Sequence, residues 1–257
     1  MFEQLYLYMV SDVKDDSLRA AWERHAEEWI AWARTPALDE SSWQLNLSTL
    51  SELLPRPGHL TLDVGCGEGR LLRVLAARGH RVLGIDASPT LARAVRTHPQ
   101  PQPVVIADAV RLPLADGAAD LAVAHMSLQD VDDLEGAVNE IARVLRPRGR
   151  LCAAVVHPLN SAGTFTGDEP DAAFVIDGSY LGTRRYAETV DKVGQSMTFH
   201  SQHRTVEAYS LACERAGLLI EALREPAHLD HWVTDDAKRR RWQRIPLFLH
   251  LRAVKLA

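Results

Sequence analysis

Short aliphatic runs alternate with longer amphipathic segments through the middle of this 257-residue chain. The aliphatic runs predict five β-strands, at residues 60–64, 81–85, 103–106, 121–124 and 151–156. Helical spacing of apolar residues predicts the intervening helices at 71–78, 90–96 and 134–145. Because parallel strands need crossover connections, this alternation predicts an α/β, doubly wound core, with helices on both faces of a parallel sheet.

Different patterns flank this core. Residues 1–54 carry Trp22, Trp29 and Trp32 among alanines at helical spacing, which predicts an N-terminal cap of two or three helices. Residues 158–203 are rich in Gly, Asp, Ser and Tyr, and an irregular stretch of this length is typical of a lid, a binding insert or a disordered loop. A helix at 206–216 and strands at 218–223 and 247–254 complete a core made of residues 55–157 and 204–257.

The most informative motif is a strand that runs directly into three alternate glycines, Gly65, Gly67 and Gly69. Glycine suits this position because a chain without Cβ turns sharply and lets a ligand approach the backbone. The dinucleotide fingerprint G-x-G-x-x-G fails at Arg70, which disfavours a nicotinamide-dependent dehydrogenase. A tight turn with no ligand is the alternative interpretation of the loop.

Three aspartates stand at or near the ends of the first three predicted strands. Asp63 lies in the first strand, Asp86 follows the second, and Asp108 follows the third. The carboxyl ends of parallel strands meet at one crevice, where a carboxylate such as Asp86 can accept both hydrogen bonds from a ribose diol. Aspartate is also a favoured helix N-cap, so capping is the alternative role for each of them.

With these motifs, residues 55–156 resemble the class I S-adenosylmethionine-dependent methyltransferases, in particular their ubiquinone/menaquinone-biosynthesis-like small-molecule branch. The segments similar to motifs of that family are 62–69, 84–88, 106–109, 120–125 and 145–151. The resemblance implies a Rossmann-like, mostly parallel seven-stranded sheet with an antiparallel last strand. It also implies S-adenosyl-L-methionine as methyl donor and S-adenosyl-L-homocysteine as product. Two departures from the family are Gln129, where many relatives carry histidine, and Arg148, where glycine is common.

The resemblance further implies where the donor would bind. Asp63 would hold its methionine portion together with the backbone of the glycine loop, Asp86 its ribose and Asp108 its adenine. We add the hypothesis that the guanidinium of Arg34 pairs with the donor's carboxylate, because it can bond both oxygens. The other predicted donor-binding residues are Gly65, Cys66, Gly67, Gly69, Ala87, Ser88, Ala109, Val110 and His125.

Methyl transfer is an in-line displacement, and a general base is needed when the acceptor must lose a proton. His157, directly after the fifth strand, and His125, at the end of the fourth, are the candidate catalytic residues. A structural histidine is the alternative for each. Candidate acceptor-binding residues in the cap and insert, for which core packing is the alternative, are Trp29, Trp32, Tyr180, Tyr186 and His200.

Composition and charge indicate which partners and which cellular compartment to expect. The net charge is −5, so the overall field disfavours nucleic acid as a partner. Cys66, Cys152 and Cys213 lack metal-ligand spacing, which predicts reduced thiols and no metal site. No signal peptide or membrane-spanning stretch is evident, so a cytoplasmic protein is expected.

These observations predict an S-adenosylmethionine-dependent methyltransferase for a small-molecule acceptor, acting as a monomer or homodimer. They leave open whether oxygen, nitrogen or carbon is methylated. The alternative is a non-catalytic protein that binds the donor or its product for a regulatory or scaffolding purpose.

Overall fold

The computed structural model of the protein describes residues 17–227 and 237–256. The strands are β1 Thr61–Val64, β2 Val82–Asp86, β3 Val104–Ile106, β4 Ala119–His125, β5 Leu145–Val156, β6 Gly163–Phe165, β7 Phe174–Ile176, β8 Arg184–Lys192, β9 Gln195–His203, β10 Leu218–Arg224 and β11 Phe248–Lys255. The α-helices are α1 Leu18–Arg24, α2 Ala26–Ala33, α3 Pro36–Leu53, α4 Arg70–Ala77, α5 Pro89–Thr97, α6 Leu134–Val144, α7 Pro158–Ser161 and α8 Val206–Arg215. Short 3-10 helices occur at Leu128–Asp130 and Ala237–Gln243.

Seven strands form one sheet in the order β10-β11-β5-β4-β1-β2-β3. Five neighbouring strands run parallel to one another: β5, β4, β1, β2 and β3. Strand β11 is antiparallel to both of its neighbours, β5 and β10. The predicted doubly wound α/β fold with an antiparallel last strand is therefore confirmed. The strand order reverses between β1 and β4, and in such sheets this reversal opens a crevice at the carboxyl ends of the strands.

Side chains of the central strands alternate between two faces, and each face meets its own layer of helices. On β4, Ala122 and Ala124 pack with α6 and α8, whereas Leu121 and Val123 pack with α3 and α4. All four residues are at most 2 % exposed. Burial on both faces explains why the central strands appear in the sequence as continuous apolar runs.

The described part of the cap contains three helices, in agreement with the predicted two or three. Ser17 caps α1 by accepting a hydrogen bond from the Ala20 amide at 3.2 Å. Glu23, close to the end of α1, accepts hydrogen bonds from the Ser88 and Thr90 hydroxyls at the start of α5. These bonds fasten the cap beside the carboxyl end of β2.

The irregular stretch after β5 folds into two antiparallel hairpins, β6–β7 and β8–β9. The longer ladder runs from Arg184 opposite His203 to Lys192 opposite Gln195, and the Val193–Gly194 turn closes it. Both turn residues have positive φ, 53° and 75°, as tight hairpin turns require. Ladder pairing at 163–165, 174–176 and 184–203 favours an ordered insert over a disordered loop for this segment.

The largest shift in a predicted boundary is at β5, which begins at Leu145 rather than at residue 151. Leu145 pairs with Ala119 before the register shifts, and Arg148 lies in the left-handed region with φ of 64°. Glycine adopts that conformation at no steric cost, which accounts for the glycine common there in the resembling family. Among the described residues, no helix combines the length and apolar character needed to cross a bilayer.

Candidate active site

A cavity of about 750 Å³ lies at the carboxyl ends of β1, β2 and β4. Its walls come from the glycine loop, the cap helices, the segment after β4 and the β8–β9 hairpin. Its volume falls in the range of about 300–1,000 Å³ that is usual for sites of small ligands and cofactors. The cavity occupies the crevice that the sheet topology predicts.

The glycine loop forms the floor of the cavity through backbone that a side chain would block. Gly65 and Gly67 have φ of +74° and +57°, a region that disfavours residues with a Cβ. A Cβ on Gly65 would collide with the Ser127 side chain, and one on Gly67 would lie 3.1 Å from Trp29 Nε1. Cys66 between them turns its thiol into the core, where burial raises its pKa, so only its backbone suits a ligand.

Gly69 has a different role from the one predicted for it. It is the N-cap of α4 with φ of +86°, and it does not line the cavity. A Cβ there would lie 3.1 Å from Val95 and 3.3 Å from Arg73. The third glycine of the motif therefore permits the turn and the close packing of α5 rather than contact with a ligand.

Asp86 is held in a defined orientation at the end of β2. Its Oδ2 accepts a hydrogen bond from the Gly67 amide at 2.7 Å, and its Oδ1 accepts one from the Ser88 amide at 2.9 Å. Burial raises its pKa to about 6, even though these two bonds favour the charged form. The carboxylate faces the cavity with lone pairs left for further donors.

Asp63 presents a buried carboxylate in the same cavity. Within the described ranges, no group donates a hydrogen bond to its Oδ2. Burial is the main cause that raises the pKa of Asp63 to about 8, and the negative charge of Asp86 raises it further. A buried carboxylate oxygen without a donor is costly, so this position suits a ligand that brings a hydrogen-bond donor or a positive charge.

The region after β3 lines the cavity through Asp108, Ala109 and Val110. The half-exposed Asp108 accepts a hydrogen bond from the Val110 amide at 3.2 Å, and its other oxygen lies 3.8 Å from the Arg19 guanidinium. At the end of β2, Ala87 and Ser88 also line the cavity. The Ser88 hydroxyl is engaged as the N-cap of α5 and by Glu23, which leaves its backbone as the group for a ligand.

The structure does not favour the hypothesis that Arg34 binds a ligand carboxylate, because its guanidinium has partners within the protein. Its Nε donates to the buried Glu68 at 3.0 Å and its terminal nitrogen to the Ala94 carbonyl at 3.1 Å, outside the cavity lining. Arg70 does line the cavity, and its guanidinium carbon lies 4.0 Å from the Trp43 ring centre. Its position directly after the glycine motif was the signal for it in the sequence.

His157 does not line the cavity, and both of its ring nitrogens are engaged. Nδ1 accepts a hydrogen bond from the Leu159 amide at 3.0 Å, and Nε2 lies 2.8 Å from Glu225. Burial lowers its pKa, with the contact to Glu225 opposing the shift. The geometry corrects the prediction of a catalytic base and favours a structural role as cap of α7.

His125 lines the cavity, with its ring centre 5.5 Å from that of Trp43. Burial lowers its pKa to about 3, and the nearby His250 and Arg70 act in the same direction. Its Nε2 has no partner among the residues described. At neutral pH the ring is therefore uncharged, which suits a hydrogen bond to a ligand better than proton abstraction.

The predicted acceptor-binding residues divide into two groups. Trp29 and Tyr186 line the cavity, whereas Trp32 packs into a cluster with Leu38 and Met197. Tyr180 anchors the insert, since its hydroxyl accepts a hydrogen bond from the Val206 amide at 3.2 Å.

His200 also lies outside the lining, because its ring stacks on His25 at 4.9 Å between centres. For Trp32, Tyr180 and His200 the geometry corrects the prediction of ligand contact. Each of the three instead takes part in packing or in hydrogen bonds within the protein.

The lining residues that the sequence analysis missed include four in the region of the β8–β9 hairpin: Asp130, Glu188, Phe199 and Ser201. Asp130 accepts a hydrogen bond from the Ser201 hydroxyl at 2.6 Å, and its burial raises its pKa well above the usual value. Burial also raises the pKa of Glu188 to about 7. Glu188, Phe199 and Ser201 lie on the β8–β9 hairpin, which the sequence analysis treated as an irregular stretch.

Comparison with known proteins agrees with this geometry. Residues 62–153 match the family described as a methyltransferase domain. Residues 62–153 therefore carry the sequence features of a methyltransferase domain. The chain is 34 % identical to a malonyl-[acyl-carrier protein] O-methyltransferase of Pseudescherichia vulneris over 54 % of this chain and 53 % of that protein. It is 35 % identical to a demethylmenaquinone methyltransferase of Corynebacterium kroppenstedtii over 40 % of this chain and 44 % of that protein.

The chain spans about half the length of these two curated relatives. Among solved structures, it resembles an S-adenosylmethionine-dependent methyltransferase from Mesorhizobium loti, with a TM-score of 0.68 and 26 % identity. That match covers 82 % of this chain and 98 % of the other. The Mesorhizobium loti protein depends on S-adenosylmethionine, which is the cofactor that the family resemblance implied for this chain.

Proposed function

We propose that this protein transfers a methyl group from S-adenosylmethionine to a small-molecule acceptor. The observation that carries the proposal is the Asp86 carboxylate, which the Gly67 and Ser88 amides hold at the edge of a cavity whose floor is the glycine loop. A carboxylate in this position fits a ribose diol, and a backbone without Cβ fits the chain that leads from the ribose to the sulfonium.

The remaining lining residues fit the other parts of the donor. The unpartnered Oδ2 of Asp63 fits the donor's ammonium group, and the segment 108–110 fits adenine. The neutral His125 offers a hydrogen bond near the end of β4. The donor supplies an activated methyl group when it is bound.

The contribution of the protein to the reaction is mainly one of position. An in-line displacement needs the acceptor atom within about 3–3.5 Å of the methyl group, and holding it there removes much of the entropic barrier. The cap residue Trp29 and the hairpin residue Phe199 cover the cavity from the side opposite the sheet, with their ring centres 6.1 Å apart. This cover excludes water from the place where the two reactants would meet.

Three buried cysteines, Cys66, Cys152 and Cys213, are unpaired in the described part of the chain. Reduced thiols suit a reducing compartment, so we place the enzyme in the cytoplasm. The acceptor is unidentified, and a cavity of about 750 Å³ is of the size that small ligands and cofactors occupy.

The proposal is tested first by binding. Calorimetry should show that the wild-type protein binds S-adenosylhomocysteine, and that Asp86→Asn weakens the binding by about tenfold or more, because a charge-assisted hydrogen bond is lost. The exposed Asp171→Asn serves as a control of equal charge change and should bind as the wild type does. Thermal unfolding of each variant checks that it is folded.

Turnover is tested second. Purified protein and S-adenosylmethionine are incubated with a panel of phenols, quinols, carboxylic acids and amines, and the release of S-adenosylhomocysteine is measured. Acceptor-dependent release supports the proposal. Binding of S-adenosylhomocysteine without release from any class of acceptor would favour a non-catalytic binding protein instead.

A further inference from the structure

The side of the cavity that faces the acceptor is built largely by one face of the β8–β9 hairpin. In its register Tyr186 stands opposite Ser201, and Glu188 stands opposite Phe199. Directly paired residues of antiparallel strands point to the same face, and residues two apart along a strand do so as well. These four side chains therefore share one face, and all four line the cavity.

Glu188, like Asp63 Oδ2 and unlike Asp130 and Asp132, receives no hydrogen bond and forms no ion pair within the described ranges. Asp132 pairs with Arg185 at 2.6 Å, and Asp130 receives the Ser201 hydroxyl. Burial alone raises the pKa of Glu188 to about 7, with no opposing contact. A ligand that brings a positive charge would stabilise the ionised form of this carboxyl more than a neutral hydrogen-bond donor would.

The cations of the protein around the cavity are engaged elsewhere. Arg184 is on the same strand and face, four residues from Glu188 or about 13 Å at the strand rise, and it donates to the Ser161 carbonyl at 2.9 Å. Arg19 lies near Asp108, and Arg70 lies over the Trp43 ring. The Glu188 carboxylate therefore faces a part of the cavity that offers it no cation from these side chains.

Aromatic side chains complete this part of the cavity. The Phe199 ring, opposite Glu188, packs edge to face with Trp29, and Trp29 packs in the same way with Trp22 at 6.0 Å between centres. Trp29 also reaches the Gly67 backbone, where the donor's amino-acid arm would lie. Aromatic faces attract organic cations, and a carboxylate beside them adds a direct ion pair.

We propose that the acceptor carries a protonated amine, which pairs with Glu188 between Phe199 and Trp29 while the donor occupies the glycine loop. This inference rests on the proposed function and specifies its substrate class. Glu188 is then an acceptor-binding residue, and the hairpin face that carries it selects cationic acceptors over neutral or anionic ones of the same shape.

The test measures binding without turnover, on full-length protein saturated with S-adenosylhomocysteine. Three matched sets of probes are titrated by calorimetry: arylalkylamines with one to four methylene groups, the corresponding alcohols and the corresponding carboxylates. The amines should bind at least about tenfold more tightly than their alcohols, because each adds a charge-assisted pair. Glu188→Gln should remove this preference, and Glu188→Asp should retain part of it.

The control is Asp191→Asn, which removes a carboxylate from the same strand at an exposed position outside the cavity lining. It should leave the amine preference unchanged. Equal binding of amines and alcohols, no binding of any amine, or a preference that survives in Glu188→Gln would overturn the inference. These results leave the proposed function intact as long as S-adenosylhomocysteine binds, whereas failure of that first binding step refutes the proposed function itself.

Discussion

At the scale of single residues, the site places charged groups where they lower the stability of the empty protein. Asp63 has a buried oxygen without a hydrogen-bond donor among the described residues, and its pKa is raised to about 8 from 3.8. A raised carboxyl pKa means that the folded protein resists an ionisation that the unfolded chain accepts. The resulting destabilisation begins above about pH 4 and is complete above about pH 8.

We therefore expect Asp63→Asn to stabilise the protein without ligand and to weaken its binding of S-adenosylhomocysteine. The gain in the free energy of unfolding should be larger at pH 8.5 than at pH 5, by up to about 1.4 kcal/mol per pH unit below pH 8. Urea unfolding at both pH values measures the gain, and Asp171→Asn is the control. An equal gain at the two pH values would mean that the Asp63 pKa is not raised.

His157 illustrates a histidine whose hydrogen bonds define a structural role. Replacing it with alanine removes the cap of α7 and the contact with Glu225, which is half-exposed and therefore contributes little. We expect His157→Ala to lower the free energy of unfolding by about 1–2 kcal/mol. The affinity for S-adenosylhomocysteine should stay within about twofold of that of the wild type, given the place of the ring outside the cavity lining.

His157→Asn keeps an oxygen acceptor for the Leu159 amide and should recover part of the lost stability. Urea unfolding and calorimetry on the three proteins measure both quantities. If His157→Ala were as stable as the wild type but had lost turnover, the histidine would return to the list of catalytic candidates.

At the scale of elements, the sequence predicted the core better than the parts that cover it. β1 and β2 were visible because burial on both faces favours apolar runs, and Asp63 and Asp86 were recognised from their places in β1 and at the end of β2. β8 was missed because one of its faces lines a partly polar cavity and the other is largely exposed, so no apolar alternation marks it. The partner of Arg34 could not be recognised from the sequence, because Glu68 is 34 positions away along the chain.

The cap is fastened to the core by Glu23, which joins α1 to the first turn of α5 next to Asp86. We expect Glu23→Gln to loosen this link and to speed the dissociation of S-adenosylhomocysteine several-fold. The free energy of unfolding should fall by less than about 1.5 kcal/mol, because neutral hydrogen bonds can replace the charged ones. Stopped-flow displacement measures the dissociation rate.

Glu27→Gln is the matched control, since Glu27 is exposed on the neighbouring helix α2 and does not line the cavity. Its dissociation rate should equal that of the wild type. An unchanged rate in Glu23→Gln would mean that α1 does not restrain the bound ligand.

At the scale of the whole molecule, the site and the sheet belong to one structure. The glycine loop continues β1, and the Gly65 amide donates to the Ile85 carbonyl of β2 at 2.8 Å, so the loop cannot move without the two central strands. The β6–β7 hairpin is different, because it is a separate two-stranded sheet with three residue pairs. Short isolated hairpins open locally far more readily than the interior of a large sheet.

This difference predicts how hydrogen exchange responds to S-adenosylhomocysteine. At a ligand concentration of about 100 times Kd, binding adds about 2.7 kcal/mol to global stability, so amides that exchange only through global unfolding should slow by about 100-fold. We expect this in β1, β4 and β5 but not in β6–β7, where exchange proceeds through local opening. If the slowing were confined to the glycine loop, the loop would open independently of the sheet, and the rigid link through Gly65 and Ile85 would be refuted.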